Sequence, residues 1–208
     1  MKIKPYVEKL NSSGEYKKFI SENKDAFMIA GFFILDFEMG QNMHQIDYYI
    51  PSTKKVAAFS LDKQVTLQIL ESMTKKMPEK LDIKTKIDLD ELKGIILDEM
   101  KNRSMTEDVK KIIAVLQNID GKNIWNINCV LTGMEILRAH IEDNSKSVLK
   151  MEKISMNDIM KRISPEALAQ MKNQAKLSRL EKGEPKKSNQ SKNQKEDGKL
   201  TDINKEEL

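Results

Sequence analysis

Cysteine is nearly missing from this chain: Cys129 is the only one in 208 residues. A single thiol cannot close an intramolecular disulfide or build a cysteine-based zinc cluster. Its place in an alternating apolar run makes it a small hydrophobe of a buried strand rather than a reactive group. Histidine is scarce too, with His44 and His140 the only two. In principle they could join Asp47, Glu135 or Glu142 around a metal, but the two are not paired with each other at the helical or strand spacing that metal sites use. No metal and no cofactor are expected. No serine or cysteine stands in a nucleophile-elbow context, and no GxxxxGK[ST] loop is present. The sequence therefore nominates no catalytic residue, and a non-enzyme is expected.

Long hydrophobic runs are also lacking. The longest, residues 26–35, has ten residues, too few to span a bilayer. The opening MKIKPYVEKL carries Lys and Glu where the apolar core of a secretory signal would lie. The expectation is a cytoplasmic protein with no membrane partner. Charge of one sign is missing as well: 36 Lys and Arg against 32 Asp and Glu leave a net charge of only +4. With no clustered basic face in the folded part, nucleic acid is disfavoured as a partner.

What is present is apolar patterning, and 39% apolar content is enough to bury a real core. Residues 109–153 read as short strands joined by tight polar turns, hinged on Asp120-Gly121, since Asp-Gly between two apolar runs is the strongest short-range hairpin signal. Val109–Ile119 also has helical spacing at Val109, Ile112, Ile113 and Leu116; its β-branched residues and the turn that follows favour strand. Strands follow at 123–131, 134–141 and 147–153. Nearer the N-terminus, Pro5 opens a short helix and Ser12 with Glu15 has capping-box spacing. Tyr16, Phe19 and Ile20 stripe a second helix. Strands are expected at 26–38, 43–50 and 55–61, with Gly31 marking a bulge or a close backbone approach. Residues 63–77 read as a helix through Val65, Ile69, Leu70 and Met73, and 79–88 as a polar linker. A helix over 89–101 starts at Asp88. The acids Asp88, Asp90 and Glu91 cap its first turn and Asp98 and Glu99 line its solvated face, so neither group is read as an ion site.

The expected fold class is α+β, with two helix-plus-antiparallel-sheet modules. Residues 1–62 form a helix and three-stranded module, 63–87 a helix and linker, and 88–153 a helix and four-stranded module. Residues 154–180 form C-terminal helices, with Pro165 at a helix start. Residues 181–208 form a disordered tail too poor in apolar side chains to offset its ordering entropy. The stretches 47–59 and 138–151 align at an offset near 91, which suggests an internal duplication.

Residues 85–153 resemble the PepSY domain of peptidase propeptides and related regulatory proteins. The likeness rests on the helix DLDELKGIILDEM, the strand pair around IDGKNIWNINCV and the closing LRAHIEDNSKSVLK. Ser145-Lys146 stand where that family has a Thr-Gly-type turn. The resemblance implies a small noncatalytic module that binds a protein or peptide, and it carries no catalytic residues.

Residues 27–37 hold more apolar side chains than one sheet face can hide, so either a helix covers the second face or a subunit interface does. Phe27, Phe33, Phe37, Tyr48 and Tyr49 are the candidate partner surface. The partner class is a protein or peptide, with a homodimer as a further expectation. The alternatives are a small dimeric chaperone-like holder of secretion or unfolded substrates, and nucleic-acid association through the tail. The thirteen methionines read as core filler.

Overall fold

In the computed structural model, Asp120 and Gly121 adopt φ of 51° and 75°. Positive φ at both central residues is the geometry a two-residue hairpin turn needs. The turn joins β5 (Val109–Ile119) to β6 (Lys122–Leu131). Residues 3–72, 76–133 and 135–155 are described; they lie in the first of the two units into which the chain divides, 1–162 and 163–208.

The other elements are α1 (Lys4–Ser12), α2 (Gly14–Glu22), β1 (Phe27–Asp36), β2 (Met43–Ile50), β3 (Lys55–Ser60), β4 (Thr66–Glu71), α3 (Leu89–Asn102), β7 (Glu135–Glu142) and β8 (Val148–Ser155). All eight strands form one antiparallel sheet in the order β4-β3-β2-β1-β5-β6-β7-β8. The pairing of β1 with β5, from Ala30↔Gln117 to Asp36↔Lys111, overturns the expectation of two helix-plus-sheet modules. The fold is sheet-dominated, with three short helices among the described residues, and one buried cluster runs from Ile3 and Phe19 through Phe33 and Trp125 to Met100 and Met151. Phe33 and Trp125, from β1 and β6, have ring centroids 6.1 Å apart. The aligned stretches 47–59 and 138–151 form β2–β3 and β7–β8; the first hairpin adjoins β1, whereas the second ends at the sheet edge.

Three local expectations change. The helix expected over 63–77 is replaced, among the described residues, by an edge strand at Thr66–Glu71 paired with β3 from Lys55↔Glu71 to Ser60↔Thr66; residues 73–75 lie outside the described residues. The cap of α2 is Ser13 rather than Ser12. Its Oγ accepts the Tyr16 N–H at 3.1 Å, while Ser12 Oγ donates to the Glu8 carbonyl at 2.8 Å. The segment before α3 is no loose linker, because Leu81 and Ile87 are buried. Leu81 N–H donates to Met28 O, and the side-chain amides of Asn118 and Asn123 donate to the carbonyls of Lys80 and Asp82. Of the helices expected over 154–180, Ile154 and Ser155 belong to β8 instead; the rest of those helices and the tail lie outside the described residues.

The bulge expected near Gly31 falls between Met28 and Ala30. Gly31 itself is approached closely, since a Cβ there would stand 2.8 Å from Phe33 Cε2. At the start of α3, Asp88 and Glu91 form a capping box, with Asp88 N–H donating to Glu91 Oε2 at 3.2 Å. Leu89, Leu92, Ile96 and Met100 make its buried stripe. Cys129 is fully buried, and burial pushes its thiol up to about 12, as an inert core residue requires.

Candidate functional site

Because side chains alternate across a strand, the register fixes which residues share the face opposite the buried cluster. One row runs Gln45, Phe32, Val115, Asn126, His140 and Lys150 across six neighbouring strands. The next runs Met43, Ile34, Ile113, Asn128, Arg138 and Glu152. At the middle of the sheet these rows bring Phe32, Ile34, Ile113 and Val115 together, each partly exposed. Side-chain amides frame this apolar block: Gln45 on one flank, Asn126 and Asn128 on the other.

The frame is hydrogen-bonded rather than loose. Asn126 Nδ2 donates to Gln117 Oε1 at 3.2 Å, and Gln45 Nε2 to Asp47 Oδ1 at 2.8 Å. Burial pushes the Asp47 carboxyl above its ordinary range, and the Gln45 amide only partly offsets this. At one end of the face Asp36, itself buried, pairs with Lys111 at 3.0 Å. An antiparallel sheet with one packed and one wet face ordinarily alternates apolar with polar. Here apolar residues occupy the wet side of both central strands.

The five expected surface residues separate into three places. Phe33 and Tyr48 belong to the buried cluster and are excluded as contact residues. Tyr48 packs edge-on against Phe19 and Phe59 beneath α2. Phe27 and Tyr49 do meet, with centroids 5.8 Å apart, on the face that carries no helix among the described residues (the helix-free face), though Tyr49 is buried. Phe37 lies beyond the end of β1, exposed, with the Lys93 ammonium 4.0 Å from its ring centroid. Aromatic content marked β1 correctly as unusual, but β1 is a central strand with neighbours on both sides.

His44 and His140 lie on opposite faces of the sheet. His44 shares the parity of buried Ile46 and Tyr48; its Nδ1 is 3.0 Å from Asp62 Oδ1 and its ring stacks on Tyr6 at 4.5 Å. His140 stands on the helix-free face opposite Asn126. No group of three potential metal ligands occurs among the described residues. Sequence reasoning missed the block formed by β1 with β5, because that pairing joins residues far apart in the chain. It missed Asp143 too, which reads as part of a solvated turn and is fully buried.

No protein-family model and no curated protein matches the chain. Among solved structures it is similar to a "putative lipoprotein" from Clostridium difficile 630, at 14% identity and a TM-score of 0.47, over 67% of this chain and 90% of that one. A likeness of that strength decides neither fold nor function. No helix among the described residues is long and apolar enough to cross a membrane.

Proposed function

We propose that this chain is a non-enzymatic module that binds a protein or peptide, and that the helix-free face of its sheet is the contact surface. The observation that carries the reading is the block of Phe32, Ile34, Ile113 and Val115, partly exposed and framed by Gln45, Asn126 and Asn128. Apolar side chains at the middle of a patch, with polar groups around them, match the anatomy of interfaces that exclude water at the centre and keep hydrogen bonds at the rim. The frame favours amides over charge, which suits recognition of backbone or neutral polar groups rather than a phosphate backbone. The resemblance of residues 85–153 to PepSY modules points in the same direction.

The test is a photoreactive side chain at position 115, illuminated in cells that make the protein. The expected result is one discrete cross-linked product that Phe32→Asp abolishes and that Leu149→Asp, at an exposed edge position, leaves in place. Equal cross-linking in all three proteins, or none in any, would remove the support for this face.

A further inference from the structure

The two edges of the sheet differ in kind. β8 carries Lys150, Glu152 and Lys153, with Lys150 and Glu152 paired at 2.9 Å and Lys153 bonded to Glu107 and Glu135. Charges of this sort are how an edge strand is kept from adding another strand. β4 has the sequence TLQILE, with no lysine and no proline, and every residue except Leu67 is exposed. Ile69 and Leu70 show 46% and 40% of their surface. It ends the strand order with no further strand beyond it among the described residues. Beside it, α2 and β4 enclose a cavity of about 320 Å³ lined by Phe19, Ile50, Leu67 and Ile69 among others.

We propose that β4 pairs antiparallel with β4 of a second copy of this chain, joining two sheets into one across a twofold axis. The sequence suits itself in that arrangement. Directly opposed residues in an antiparallel pair share a face, so a twofold axis must pass through a residue position to keep helices on one side. Centred on Gln68, it sets Leu67 against Ile69 of the second copy and Thr66 against Leu70 of the second copy. The opposed Leu67–Ile69 pairs stand at the mouth of the open cavity beside α2, next to its apolar floor of Phe19 and Ile50. The same register lays the Glu71 end of one strand beside the end that carries Lys63 in the other. Centred on Ile69, Leu67 would oppose Glu71, an apolar–charged mismatch. A self-complementary patch of this sort is what an isologous dimer uses. The edge lies apart from the helix-free face, so this inference does not rest on the reading of that face.

Light scattering on the eluting full chain, over a range from low to high micromolar, tests it. Twice the mass of one chain is expected, falling to one chain in Ile69→Lys, with Leu149→Lys on the opposite edge and Phe32→Asp on the open face both remaining dimeric. Ile69 is exposed, so its substitution should leave the far-ultraviolet spectrum unchanged. The second measurement is oxidation of Gln68→Cys, which should give a disulfide-linked dimer in high yield; Cys129 is buried and stays silent. A single-chain mass at every concentration overturns the proposal. So does a dimer that survives Ile69→Lys, or one whose Gln68→Cys form fails to cross-link.

Discussion

Trp125 Nε1 donates to Asp143 Oδ1 at 2.9 Å, inside the protein. The same carboxylate accepts the backbone N–H groups of Lys86 at 2.7 Å and Ile87 at 3.1 Å. One side chain thus ties β6, the β7–β8 turn and the segment that leads into α3. Asp143 is 1% exposed and Trp125 fully buried, so water cannot replace the acceptor. Asp143→Ala should leave two buried donors and one half-buried donor without a partner, at a cost of about 3 kcal/mol or more. Asp143→Asn keeps one acceptor oxygen but turns an NH₂ toward a donor, and should fall between. Urea denaturation of the three proteins checks the order.

Asp36 predicts an acid sensitivity. Its carboxyl is held below the ordinary value of 3.8, chiefly by the Met39 N–H, then by the Lys111 ammonium and the Glu38 N–H. A folded pKa below the unfolded one gives stability that is present above the unfolded value and lost as pH falls through the folded one. Wild type should therefore exceed Asp36→Asn in urea midpoint at neutral pH, and the two curves should converge as pH drops below 3.8. Parallel curves down to the acid limit would assign the carboxylate no linked role.

Much of the sheet was legible because alternation and turn chemistry are local properties. β5 and β6 follow from the Asp120-Gly121 reversal, and α3 from its first-turn acids and its stripe at Leu92, Ile96 and Met100. β4 was misread because Val65, Ile69 and Leu70 mimic a helical stripe. An edge strand that buries little has no strong period to contradict that. Which of the candidate surface residues stay open was hidden for a different reason. The abundance of aromatic residues says that a strand is buried on both sides, not which neighbours bury it. Only the pairing of β1 with β5 sends Phe33 into the core and Phe32 to the open face. No local pattern could reveal that contact, nor that a turn acid such as Asp143 would be the hub of a buried network.

Gly31 offers a packing test at that central strand. A Cβ there would stand 2.8 Å from Cε2 and 3.0 Å from Cζ of Phe33. Phe33 is fully buried, with Tyr6 and Trp125 rings at 5.7 Å and 6.1 Å, so its ring has nowhere cheap to go. Gly31→Ala should destabilise by about 1–3 kcal/mol, the usual range for overpacking, although alanine lowers the entropy of the unfolded chain. A thermal midpoint equal to or above wild type would mean that the core there yields more readily than its contacts indicate.

The segment 79–83 predicts a local opening that global unfolding does not require. It is fastened by Asn118 Nδ2 to Lys80 O and Asn123 Nδ2 to Asp82 O, both 2.9 Å, by Gly121 N–H to Glu79 Oε2 at 3.0 Å, and by Leu81 N–H to Met28 O at 2.9 Å. Beneath it lies a cavity of about 590 Å³ bounded by Val7, Tyr16, Met28, Tyr48 and Leu81 among others. Leu81 is the one residue of 79–83 buried in the core, and the rest of the segment borders this open cleft. Removing both amides (Asn118→Ala with Asn123→Ala) costs about 1 kcal/mol for each bond, enough to raise the open population several-fold while the sheet holds. Hydrogen exchange at the Leu81 amide should accelerate, and trypsin should cut at Lys80 or Lys84. Protection of amides in β5 and β6 should stay near wild type, because opening of one segment and loss of the whole fold are separate events on different free-energy scales. If β5, β6 and Leu81 instead lost protection together, the amides would be supporting the sheet itself, and the segment would be part of the core.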